Sequence, residues 1–178
     1  MSAEENIAIY RRFVEQVLHA GNADAADEFM AVELIDHSLP PDVPGTREGF
    51  KEWFRMFHAA FPDAKWILEF IDGKGDIVYH HKSFVGTHRG EYLGVAGTGK
   101  QIRGQETGII RFKDGKMVEF WGTFDDFGIA RQLGLIPEHW WSTVSGEKHA
   151  AAQQAHAATS RGRTCQTTRE LVDQARGR

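Results

Sequence analysis

Three helical segments, four strand-like segments and a short closing helix predict an α+β fold for this 178-residue chain. Two observations carry that expectation. Apolar residues before Ala64 recur at helical spacing. After it come strand-like segments, and an Asp114-Gly115 pair between the last two is a strong hairpin signal. The expected architecture is a curved, mostly antiparallel sheet closed by three N-terminal helices into a cone-shaped pocket.

The elements follow in order. Ser2 and Glu5 have capping-box spacing at the head of a first helix reaching Leu18, whose stripe is Ile7, Tyr10, Phe13, Val14, Val17 and Leu18. Gly21 ends it, and Asn22 caps a second, short helix through Met30. A short extended piece from Val32 leads through Asp36-His37 into a proline-marked loop. Thr46 caps a third helix through Ala60, with a broad aromatic face of Phe50, Trp53, Phe54, Phe57 and Phe61. Strands are expected over Ala64 to Ile71, Asp76 to Thr87, Gln101 to Phe112, and beyond the Asp114-Gly115 turn. The glycine-rich stretch Arg89 to Lys100 lacks phosphate-loop spacing and opens no helix, so it predicts no nucleotide site. After Pro137 the composition turns polar. We expect a domain over residues 1–141 and an extension over 142–178 that is disordered or laid against a partner.

Composition excludes several function classes. The net charge of −4 leaves no electrostatic footprint for nucleic acid. No apolar run reaches the roughly 20 residues of a membrane span. An acidic N-terminus without an apolar signal core points to the cytoplasm. The single cysteine, Cys165, rules out an internal disulfide and a cysteine-rich zinc site. His80, His81 and His88 have neither His-x-His nor helical His-x-x-x-His spacing, so no metal is expected.

On the last strand, side chains alternate between faces. Met117, Glu119, Trp121, Thr123 and Asp125 share one; Val118, Phe120, Gly122, Phe124 and Asp126 share the other. The first face carries two carboxylates and an indole and can line a pocket. The plainer reading is that Asp125 or Asp126 caps the following helix.

Several motifs combine into a likeness: Asp36-His37 before a Pro-Gly loop; Phe57-x-x-x-Phe61-Pro62-Asp63; Gly86-Thr87-His88-x-Gly90-Glu91-Tyr92-Leu93-Gly94; Thr98-Gly99-Lys100; Val118-Glu119-x-Trp121-x-x-x-Asp125-x-x-Gly128; and Gln132-Leu133-Gly134. Over roughly residues 4–137 the chain resembles the SnoaL-like polyketide cyclases, within the nuclear transport factor 2-like and ketosteroid-isomerase-like superfamily. The resemblance implies a cystatin-like α+β barrel, a homodimer, and a cofactor-free intramolecular aldol cyclisation of a small aromatic or polyketide-like ester. It places the pocket acid/base at Asp125 and leaves the cap to Asp126. His37 and His88 match recurrent family histidines that donate to an enolate oxygen or orient the substrate. Trp53, Phe54 and Trp121 are the expected apolar walls. Glu106, if protonated in an apolar site, is a further donor. His81 stands where relatives commonly carry Arg, and Gly108 where many carry a larger residue. The rival readings are a non-catalytic binding or dimerisation module, and an epoxide hydrolase in which Arg103 or Arg111 supports the carboxylate.

Overall fold

The computed structural model describes residues 1–137. Residues 138–178, and with them Cys165, the expected boundary after 141 and the extension, lie outside the described residues. Met1–Leu135 forms one compact unit.

Helix α1, Ala3–Phe13, opens with the predicted capping box: the Glu5 N–H donates to Ser2 Oγ at 3.2 Å, and the Ser2 N–H to Glu5 Oε2 at 2.7 Å. It runs on as a π-helical segment, Val14–His19. A 3₁₀ turn over Ala23–Ala25 precedes the one-turn α2, Ala26–Phe29. The chain becomes extended at Met30, where the sequence extends a helix. Strand β1, Met30–Asp36, follows, then helix α3, Arg47–Ala60. The remaining strands are β2, Lys65–Lys74; β3, Ile77–Thr87; β4, Gln101–Lys113; and β5, Lys116–Phe124. Helix α4, Asp126–Leu133, closes the unit, with Gly134 as its left-handed cap.

The sheet order is β1-β5-β4-β3-β2. It therefore has five strands, not the four read from sequence: the extended piece before the proline loop becomes an edge strand parallel to β5. The other pairings are antiparallel. Strand β4 alternates buried and exposed along its whole length, as a strand with one face on a core must. The β4–β5 turn has positive φ at both Asp114 (50°) and Gly115 (76°), the geometry of a tight two-residue hairpin.

Strand β5 breaks parity once. Arg111 pairs with Glu119, but Phe112 pairs with Met117, so Val118 is an extra residue in a bulge. Met117 thereby turns into the core together with Phe120, while Glu119 and Trp121 stay on the opposite face.

The inner face of the sheet packs on α1 and α3. Phe57 of α3 contacts the rings of Phe61, Trp66, Phe84, Tyr92 and Phe124 at centroid distances of 4.9–6.1 Å. Such ring pairs contribute about 0.5–1.5 kcal/mol each beyond their area. Gly108 of β4 lies opposite His80 of β3 in register. A Cβ there would meet His80 Cε1 at 2.5 Å and Phe120 Cε2 at 2.7 Å. The missing side chain is what admits both rings to the inner face.

Candidate active site

A cavity of about 670 Å³ lies between the inner face of the sheet, the N-terminal helices and α3. Its walls are mainly apolar and include Phe13, Phe50, Trp53, Phe57, Trp66, Phe120 and Phe124. The loop Ser38 to Val43 and the turn Glu91 to Leu93 also contribute to the lining. Asp42, Glu91 and Asp126 are exposed lining residues and so mark the open rim; Tyr10, Asp36, Lys82 and Glu106 are buried.

Asp36 ends β1 with its side chain inward and is 7 % exposed. Oδ1 accepts two bonds from Ser38, from the N–H at 2.8 Å and from Oγ at 2.6 Å. Oδ2 accepts none among the described residues. Burial raises the Asp36 pKa above the usual carboxylate value, against the opposing Ser38 bonds. At the rim, Tyr92 Oη donates to Asp126 Oδ1 at 3.0 Å, and partial desolvation of this carboxyl against the cavity wall outweighs that bond and raises its pKa.

The second polar feature is a cluster on adjacent inward positions of β3 and β4. Lys82 faces Glu106 directly across the strands. Lys82 Nζ donates to Glu106 Oε1 at 2.8 Å and to Tyr10 Oη of α1 at 3.0 Å. His80 Nε2 lies 3.2 Å from Glu106 Oε1 and 3.0 Å from Tyr10 Oη. Burial alone would raise Glu106, but the Lys82 ammonium and His80 bring it down to about 2. Burial works against the charge on Lys82, yet Glu106 and Tyr10 raise its pKa overall. Burial pushes the Tyr10 phenol up to about 12, and lowers His80, which is therefore neutral near pH 7.

The residues singled out from sequence fall into four places. Trp53 and Glu106 line the cavity. The donor role expected of a protonated Glu106 is corrected, because its ion pair with Lys82 keeps it ionised. Phe54 packs in the core, stacked on Phe50 at 5.8 Å. His88 is also in the core, fully buried, with Nδ1 3.1 Å from Thr98 Oγ1 and 3.3 Å from the Thr98 N–H that donates to it. This ties the Gly86–His88 strand end to the Thr98-Gly99-Lys100 turn and is a structural use of the histidine.

His37, His81 and Trp121 sit on the outer face of the sheet. His37 stacks on Trp121 at 5.2 Å and its Nε2 lies 3.1 Å from Glu119 Oε1. His81 Nδ1 lies 3.0 Å from Thr107 Oγ1 and Nε2 3.5 Å from Glu69. The alternation expected on β5 holds from Glu119 onward but not for Met117, which the bulge turns inward, and the face carrying Glu119, Trp121 and Asp125 points away from the cavity.

Asp125 consequently does not line this cavity. Its Oδ1 accepts the Gly128 N–H at 2.9 Å, so Asp125 caps α4, and the neighbouring Asp126 lines the cavity. This reverses the expected assignment of the pair. Asp125→Ala should therefore lower stability by about 0.5–2 kcal/mol in a urea titration, with the cavity lining unchanged.

Sequence reading missed Asp36 as a lining residue and Lys82 altogether. The available signal for Lys82 was its parity with His80 and Phe84 on a strand whose inward positions are otherwise mostly apolar. Among the described residues, no group of three or more His, Cys, Asp or Glu is placed to hold a metal ion. No helix among them is long and apolar enough to cross a membrane.

The family model for SnoaL-like polyketide cyclase matches residues 8–133. The chain belongs to this family. Within it, aklanonic acid methyl ester cyclase DnrD of Streptomyces peucetius is 29 % identical over 140 residues, spanning 75 % of this chain and 96 % of the relative. The corresponding enzyme DauD of Streptomyces sp. strain C5 is also 29 % identical over 140 residues, spanning 75 % of this chain and 86 % of its own. Among solved structures, TsrD from Streptomyces laurentii superposes with a TM-score of 0.68 at 22 % identity, covering 75 % of this chain and 98 % of TsrD. A SnoaL-like polyketide cyclase from Agrobacterium tumefaciens gives 0.61 at 19 %, covering 72 % and 98 %. At these identities the two structures speak for the fold. The SnoaL-like fold of this chain is the α+β cone expected from its motifs.

Proposed function

We propose that this SnoaL-like protein is a cofactor-independent acid/base enzyme that cyclises a small polyketide-like carbonyl compound, with Asp36 as the proton-transferring carboxylate. The observation that carries the reading is the buried Asp36. One of its oxygens is held by Ser38, and the other, at the wall of an aromatic cavity, accepts no bond among the described residues. A dry carboxylate is a stronger base once ionised. In an intramolecular aldol step Asp36 takes a proton from the carbon beside a carbonyl. The enolate carbon then bonds to a second carbonyl carbon of the same molecule, and Asp36 returns the proton to the resulting alkoxide. Substrate and product are isomers, and the carboxylate is regenerated.

The names of the relatives suggest the first substrate to try. Incubation with aklanonic acid methyl ester and simpler polyketide methyl esters in deuterated water should give protein-dependent exchange at the carbon beside the carbonyl, and a cyclised product isomeric with the substrate. Binding without exchange or cyclisation would favour the non-catalytic module. The epoxide-hydrolase reading loses support because, among the described residues, no arginine lines the cavity: Arg103 pairs with Glu69 and Arg111 with Glu119 on the outer face.

The same reading includes a homodimer formed through the outer face of the sheet. Phe70 and Tyr79 stack there at 6.3 Å, Tyr79 pairs with Ile109, and Ile109 with Trp121, giving a continuous apolar strip. Light scattering should give twice the chain mass, and Ile109→Lys, half exposed on that face, should halve it. A cytoplasmic setting fits the lone cysteine.

A further inference from the structure

The acid/base reading supplies a base but names no group for the negative charge that moves onto oxygen. We propose that Lys82 is that group, and that the substrate places a carbonyl, enol or phenol oxygen at the buried end of the cavity. This inference rests on the proposed carbonyl chemistry and narrows its substrate to compounds with a carbonyl, enol or phenol oxygen remote from the rim.

Three observations lead there. Lys82 is 4 % exposed and still lines the cavity, so its charge meets a ligand in a nearly dry setting. Among the described residues, it is the single cation lining the cavity. Its three N–H groups are also unevenly used. Two make bonds of 2.8 and 3.0 Å to Glu106 and Tyr10, while the remaining contact, to His80 Nε2, is 3.5 Å long. A donor in that state can turn to a better acceptor.

The ammonium is also held in place. Glu106 and Tyr10 fix it from two sides, and Nζ lies 5.3 Å from the Trp66 ring centroid and 5.7 Å from that of Tyr10. A donor positioned before the reaction stabilises developing charge without reorganising. Glu106 opposes an anion, and it also makes the pair neutral overall, so an uncharged substrate enters without a net charge to desolvate. Both members of the pair line the cavity, and an oxygen bonded to Nζ sits at hydrogen-bond distance from the ammonium, so attraction wins as charge develops wherever that oxygen stays farther from the carboxylate. A buried ion pair by itself adds little stability over apolar side chains of the same size. Presenting a charge to the cavity accounts for the pair where stability does not.

The test reads ionisation rather than turnover. Alizarin, an aromatic phenol that changes colour when it ionises, would be titrated spectroscopically free and bound to the full chain. Bound to the wild type, its first phenolic pKa should fall by about one unit or more, a tenfold shift in the ionisation equilibrium. Lys82→Gln should abolish or reverse the shift, and Lys82→Arg should restore part of it. Should Lys82→Gln not fold, Lys82→Gln/Glu106→Gln keeps a neutral hydrogen-bonded pair and takes its place. Failure of the wild type to bind alizarin, an unshifted or raised pKa in the complex, or the same shift after Lys82 is replaced would each overturn the assignment. These outcomes leave Asp36 untouched. Conversely, a shifted alizarin pKa with no exchange on any polyketide ester would sink the cyclase reading and leave the Lys82 site standing.

Discussion

Asp36→Asn is expected to fold normally and to lose about 10²–10⁴-fold in turnover, the usual contribution of a positioned acid/base. Asparagine keeps an oxygen for the two Ser38 bonds, so the local turn has no reason to open. The direction of the stability change follows from linkage. Burial raises the folded pKa of Asp36, so the folded state binds its proton more tightly than the unfolded chain does. Ionisation of Asp36 therefore weakens the fold as pH rises from the ordinary Asp value of about 3.9 through the raised folded value. Asparagine removes that penalty, and at pH 7 the variant should be at least as stable as the wild type. The same shift sets the acid limb of the pH profile: kcat/KM should fall below a midpoint higher than about 3.9, where Asp36 becomes protonated. Full turnover in Asp36→Asn, or an acid limb at or below that value, would remove Asp36 from the mechanism.

Glu106→Gln should be the most destabilising single change in the cavity. It leaves the Lys82 ammonium buried without its anion, which typically costs about 3–5 kcal/mol. For a domain of this size that is a fall in Tm of roughly 6–20 °C. The pH dependence runs opposite to that of Asp36. Lys82 and His80 overcome burial and hold Glu106 at about 2, so its contribution is present above the unfolded value of about 4.3. It is lost as pH falls from there towards 2. The difference between wild type and Glu106→Gln in chemical denaturation should therefore be widest near neutrality and narrow through that acid range. Replacing both partners, Lys82→Met with Glu106→Leu, should recover most of the loss, because no unpaired charge remains. A Glu106→Gln variant within about 1 kcal/mol of wild type would show that the pair is solvated and that the cavity is wet at its buried end.

Much of the architecture is written in local pattern. The Ser2–Glu5 capping box, the helical stripe through Tyr10 and Phe13, the Thr46 cap, the aromatic face of α3 and the Asp114-Gly115 turn each depend on residues within a few positions of one another. Each can therefore be read without knowing the fold. The motifs from Asp36-His37 to Gln132-Leu133-Gly134 carried the family in the same way. The placement of the site depends on longer-range facts. Alternation along β5 separates two sets of side chains but does not say which set is inside. That was decided by the bulge at Val118 and by β1 pairing on the edge, which put Phe120 and Phe124 in the cavity and Trp121 outside. The exchange of roles between Asp125 and Asp126 follows from the same turn of the strand into α4. Likewise β1 alternation shows that Asp36 and His37 point apart, and only the packed sheet sends the carboxylate inward and the imidazole onto Trp121. Lys82 and Glu106 are 24 residues apart in the chain and meet through antiparallel register, which no local spacing encodes. The sequence by itself determined the elements, the family and the aromatic character of the cavity, because these rest on short-range periodicity and motif. The tertiary structure alone decided which polar groups share that cavity, because strand register and burial are set by the whole sheet.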